Sequence, residues 1–232
     1  MELSNHHSIQ QIRDLLTTNK KIKLSDESKE KIRKCNAYLL SKVEDKNSII
    51  YGVNTGFGSL CNTKIAQKDL TQLQVNLIRS HACGMGDYVP HDIVRMMLLL
   101  KVKSLGYGHS GVQLETVEKL LDLYNTSTFP VIYEMGSLGA SGDLAPLSHM
   151  SLPLIGEGMV WSQDLKSMEK AKPSNLILGP KEGLALINGT QFMQAYGLSC
   201  LFKSQQILER ADLHAALCID AYDGRKEPFL NY

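Results

Sequence analysis

Apolar residues return at three- and four-residue spacing along most of this chain, and that period commits it to helices. Ile9, Ile12, Leu15 and Leu16 mark a short first helix. Ser25 ahead of Asp26 and Glu27 reads as a capped start, with Ile32, Cys35, Leu39, Leu40 and Val43 following at helical spacing. Leu70, Leu73, Leu77 and Ile78 make another stripe. Pro90 opens a helix through Ile93, Met97 and Leu100, and Gly106 stops it. Leu114, Val117, Leu120, Leu121 and Tyr124 form the next. From Lys181 the pattern runs almost to Tyr222, with Gly183, Gly189 and Gly197 as interruptions. Strand signals are scarce. Pro130 and the "VIY" after it read as a short extended piece, and residues 158–180 as a small hairpin or loop excursion. The expected fold is mainly α, with residues 1–232 forming a single region that carries no repeats, low-complexity tracts or linker.

A chain of 232 residues can bury a core without staples. Its 25 Lys and Arg against 24 Asp and Glu leave a net charge of +1, which asks for no nucleic-acid partner. The lysines between residues 20 and 46 alternate with Asp26, Glu27, Glu30, Glu44 and Asp45 and read as a solvated helix face. Five cysteines, an odd number with no C-x-x-C pair, point to free thiols in a reducing compartment. The N-terminus lacks the apolar core of a signal peptide, and the longest block of strong hydrophobes is "MMLLL". A cytoplasmic protein with no membrane span is expected.

Three glycine-rich segments interrupt the helical pattern: "YGVNTGFGSL" from Tyr51, "HACGMG" from His81 and "EMGSLGASGDLAPLSHM" from Glu134. Glycine permits positive φ and close backbone approach. Such segments are either loops converging on one site or plain helix connectors. In the third, Ser141 or Asp143 could cap a helix with Pro146 in its first turn, Gly142 serving the sharp entry. Phosphate-loop, nucleophile-elbow and H-E-x-x-H patterns are missing from the sequence. His81, Cys83, Asp87 and His91 match no zinc spacing, so no metal is expected.

The literal residues narrow the choice. "GSLGASGDLAPLSH" resembles the signature of the aromatic amino-acid ammonia-lyases. "YGVNTGFGSL" is similar to that family's tyrosine loop, "NLIRSHACGMG" to its substrate-pocket helix and loop, and "KEGLALINGTQ" to its asparagine segment, all in family order. Within the family the chain looks most like the histidine-using lyases. The resemblance implies the N-terminal part of an L-aspartase/fumarase-like helical fold with glycine-rich active-site loops. It implies that Ala140, Ser141 and Gly142 cyclise into 4-methylidene-imidazol-5-one (MIO), with no external cofactor. Tyr51 would be the general base, and Asn188 would bond beside the MIO and the substrate amine. Ser80 and His81 would be the selectivity pair. Ser-His is usual for histidine, although some tyrosine-using relatives share it. The implied reaction takes L-histidine to urocanate and ammonia in a homo-oligomer, a tetramer at full length. Family enzymes are much longer than this chain, so it would be an N-terminal fragment, inactive alone.

The chemistry suits these residue types. Ring closure requires the Gly142 nitrogen to reach the Ala140 carbonyl, and small residues allow so compressed a turn. Loss of two waters then leaves an electrophile that no side chain supplies. A tyrosine base needs a lowered pKa for its task. One imidazole can hydrogen-bond another, donating or accepting. Plainer readings stand beside these: Tyr51 as a packed loop aromatic, Asn188–Gly189 as a turn, and His81 as a capping or core histidine. For the chain as a whole, the alternatives are a tyrosine or phenylalanine lyase, an aminomutase with the same cofactor, and a non-catalytic helical oligomerisation module.

Overall fold

Local capping chemistry starts the first helices where the sequence places them. The computed structural model describes residues 1–232 except 5, 19, 44–48, 57–64, 140–141 and 231–232. Helix α1 (Ile9–Thr17) opens on a capping box: Gln11 N donates to Ser8 Oγ at 3.2 Å, and Ser8 N to Gln11 Oε1 at 2.8 Å. Helix α2 (Asp26–Val43) starts behind Ser25, whose Oγ accepts from Ser28 N at 3.1 Å. It buries only Ser28 and Ile32 among its residues, so its lysines and glutamates form the solvated face their alternation predicts. The two-residue strands β1 (Glu2–Leu3) and β2 (Lys23–Leu24) pair in parallel and bring the ends of this region together.

The remaining elements follow as α3 (Leu70–His81), β3 (Met85–Tyr88), α4 (His91–Gly106), α5 (Leu114–Asn125), β4 (Tyr133–Met135), α6 (Leu144–Ser151), β5 (Met159–Trp161), β6 (Met168–Lys170), α7 (Glu182–Ile187) and α8 (Gln191–Ala221). Strand β3 pairs antiparallel with β4, and β5 with β6, which is the small hairpin expected within residues 158–180. The fold is mainly α.

Helix α4 is the centre of the core. Val94, Met97, Leu98, Leu99 and Val102 are fully buried on it. Each such side chain contributes about 1.5–3 kcal/mol by leaving water. It packs against α1, α2 and α5, while α3, α6 and α7 pack on one another.

The chain forms two compact units, Met1–Ala195 and Tyr196–Tyr232. The helix expected from Lys181 to Tyr222 is not continuous: α7 ends at Ile187 and α8 begins at Gln191. Asn188 leaves the helix with an extended backbone and Gly189 adopts φ +149°. The Gly189 carbonyl accepts from Asp143 N at 2.8 Å, which ties the break to the start of α6. Gly183 and Gly197 stay helical. Among the described residues no helix is long and apolar enough to cross a membrane.

Candidate active site

Asp143 ties three segments together. It is fully buried at the start of α6, and its carbonyl accepts from Leu147 N at 3.0 Å to begin that helix. Its carboxylate does not cap its own helix. Oδ2 accepts from Phe192 N at 2.9 Å and Met193 N at 3.1 Å, the first amides of α8. Oδ1 accepts from Ser137 Oγ at 2.6 Å. A carboxylate at a helix N-terminus satisfies orphan donors and opposes the helix dipole. The expected cap residue is therefore a cap, but of a helix that starts far along the chain.

Gly142 stands directly before this hub. Its φ is +100°, and a Cβ built on it would lie 2.9 Å from Gly189 O and 3.4 Å from Asn188 Oδ1. Its N–H donates to Gly139 O at 3.3 Å. No other residue type fits both the conformation and the space. Ala140 and Ser141 lie outside the described residues.

Asn188 caps the C-terminal end of α7. Its N–H donates to Leu184 O at 2.9 Å, and its carbonyl accepts from Lys101 Nζ at 3.0 Å. Lys101 is 1% exposed, and burial pushes its ammonium down to about 7. On the other side of the break, Gln191 is buried with its Oε1 unpartnered, against the Gly189 α-carbon.

Ser80 and His81 end α3. His81 Nδ1 lies 2.9 Å from Leu77 O and 3.0 Å from Ser80 Oγ, and Ser80 Oγ donates to Leu77 O at 2.9 Å. Only an Nδ1–H can face a carbonyl, so this pairing leaves Nε2 as the acceptor nitrogen. The loop that follows is anchored by His149, whose Nε2 accepts from Gly84 N at 3.0 Å while its ring stacks edge-on to Tyr133. Burial lowers the His149 pKa, which favours the neutral form this bond needs. A methyl built on Gly136 would meet Gly84 Cα at 3.3 Å and Ala145 Cβ at 2.9 Å. The second and third glycine segments thus touch.

Tyr51 sits in a turn closed by Val53 N and Asn54 N, which donate to Ile50 O at 3.1 and 3.2 Å. Asn54 Oδ1 accepts from Ile50 N at 2.8 Å, and Val53 and Thr55 are fully buried. The ring above this anchored turn is 54% exposed. Gly142 thus stands beside Asn188, whereas the Ser80–His81 pair is held within its own helix end.

Lys101 and His149 were not singled out from sequence. For Lys101 a signal exists: it stands four residues from both Met97 and Leu105, in the buried stripe of an apolar helix. For His149 none does, since its partner is a backbone amide 65 residues away.

Residues 7–232 match the aromatic amino acid lyase family. The chain is 44% identical over 209 residues to histidine ammonia-lyase of Streptococcus gordonii, covering 88% of this chain and 41% of that protein. With histidine ammonia-lyase of Streptococcus pyogenes it shares 45% identity over 196 residues, 82% of this chain and 38% of that one. Among solved structures, histidine ammonia-lyase from Trypanosoma cruzi superposes with a TM-score of 0.87 at 36% identity, over 97% of this chain and 45% of the other. The tyrosine aminomutase of Streptomyces globisporus gives 0.88 at 32% identity, over 99% and 44%. The chain spans about two fifths of the length of the curated relatives it matches.

Proposed function

The chain belongs to the aromatic amino acid lyase family, and on that premise we propose that the protein deaminates L-histidine non-oxidatively to urocanate and ammonia, with Ala140, Ser141 and Gly142 cyclising into MIO. That group supplies an electrophile for the substrate's amine or ring. The residues around the turn suit it. Gly142 is already in the left-handed region, in a cradle that a single methyl would overfill. The crowding of Gly142 by the Gly189 backbone and the Asn188 carboxamide is the observation that carries the reading.

The roles of the side chains follow from their placement. Tyr51, exposed above an anchored turn, takes the β-proton of the substrate. The Asn188 carboxamide holds the amine as it departs. His81, with Nδ1 turned to Leu77 O, offers Nε2 to the imidazole N–H of histidine. Ser80 steadies that ring through its contact with Nδ1. We assign the substrate on this pair together with the names of the sequence relatives. The protein works as a homo-oligomer, a tetramer, in the reducing cytoplasm that its odd thiol count favours.

The likeness to a tyrosine aminomutase supports a second reading, an aminomutase or lyase acting on tyrosine. A tyrosine hydroxyl could donate to the same Nε2. Parallel assays with histidine, tyrosine and phenylalanine separate the two, and urocanate formation as the fastest reaction favours the first.

Ser141→Ala tests the electrophile. In the protein at the length of its relatives, the wild type should show an intact mass short by two waters. The alanine variant should show the full mass, a normal circular dichroism spectrum and no turnover. Turnover near wild type in the alanine variant would exclude this chemistry.

A further inference from the structure

Lys101 lies in the interior of the protein, on the central helix α4, with 1% of its surface exposed. Lysines are almost never buried unless something binds the ammonium. If the position needed only volume, methionine would fill it at lower cost, because a buried cation carries a desolvation penalty that a buried thioether does not. The ammonium therefore calls for a reason at the place where it ends.

That place is the main chain of Asn188. Its carbonyl, at the C-terminal end of α7, accepts from Lys101 Nζ at 3.0 Å. Helix C-termini leave such carbonyls without partners inside the helix and give them negative character. On its other side the Asn188 N–H is bound to Leu184 O at 2.9 Å. The peptide groups flanking the Asn188 α-carbon are thus both fixed, and with them the direction in which the side chain leaves the backbone. That side chain carries Oδ1 to the edge of the Gly142 cradle, 3.4 Å from where a Cβ would stand. The next residue is held as well, through the Gly189 carbonyl and Asp143 N.

We propose that Lys101 is a positioning residue: its Nζ, donating to the Asn188 carbonyl, aims the Asn188 carboxamide at Gly142. The inference rests on the reading of residues 140–142 given above and extends it to a residue that does not touch the substrate. The depressed pKa of Lys101 agrees with an interior chosen for geometry over ionic stability.

The test uses the protein at the length of its relatives and the variant Lys101→Met. Three quantities are measured: the fraction of chains lacking two waters by intact mass, kcat per cyclised chain with KM, and Tm. Methionine removes the buried charge, so Tm should hold or rise. Misplacing a positioned group by about 1 Å can cost on the order of a hundredfold in rate. We therefore expect kcat per cyclised chain to fall by about that factor while KM changes little. A fall below about fivefold, against that expectation, overturns the proposal. Should Lys101→Met fail to fold, Lys101→Arg decides by the same threshold, since a guanidinium keeps the charge but moves the donor. A wild-type mass with no deficit sinks the electrophile reading and this inference together. A normal deficit with unchanged kcat in the variant counts against Lys101 alone.

Discussion

Lys101 also predicts how stability depends on pH. Burial lowers its pKa from 10.5 to about 7 in the folded chain, whereas the unfolded chain holds the proton up to about 10.5. Between those values the unfolded state binds more protons, so folding stability rises with pH. The contribution is complete above about 10.5 and is lost as pH falls through about 7. Lys101→Met removes this dependence. The Tm of the variant minus that of the wild type should be largest near about pH 6 and shrink steadily towards about pH 10. A constant difference across that range would mean that Lys101 is charged and well solvated in the folded protein. Tyr51 and His81 illustrate a different lesson at this scale. The His81 ring is set by Leu77 and Ser80, and the roles of both residues came from the family resemblance of their motifs.

Among the elements, α8 depends on a residue outside it. Gln191, its first residue, keeps its Oε1 over Gly189, and the amides of Phe192 and Met193 bond to the Asp143 carboxylate. Asp143→Ala removes three hydrogen bonds and leaves buried donors unpaired. Lost caps and unsatisfied buried groups together should cost roughly 2–4 kcal/mol. Urea unfolding measures the loss, and hydrogen exchange at Phe192 and Met193 should speed up selectively. A change under about 0.5 kcal/mol, the size of an ordinary surface substitution, would show that the cap is dispensable. The α7–α8 break follows the same logic. Gly189 makes it possible, the bond from Asp143 N accompanies it, and nothing near Gly189 in sequence announces that bond.

Across the molecule, the two units differ in what they bury. Residues 1–195 enclose the α4 core, whereas residues 196–232 leave Ile207, Leu208, Leu213, Leu217 and Tyr222 more than half exposed. Exposed apolar side chains in this number mark a surface made for other protein. We expect residues 1–232 expressed alone to self-associate through these side chains and to lack histidine deamination. Sedimentation and a urocanate assay provide the check. A well-behaved monomer with robust turnover would refute the expectation.

Helix positions in this protein are written in short-range chemistry: the Ser8 capping box, the Pro90 start, the apolar period of α4 and α5. Those signals act over three or four residues, so one sequence suffices to read them. The sharp entry at Gly142 was legible for the same reason, because glycine itself tolerates positive φ, whereas the break at Gly189 was not. Nor was the meeting of the two. Asp143 finds Phe192 across 49 residues, Lys101 finds Asn188 across 87, and Gly84 finds His149 across 65. Local sequence cannot specify such partners, since each depends on how α3, α4, α6 and α7 pack. Sequence determined which residues could build the site, and packing decided which of them touch.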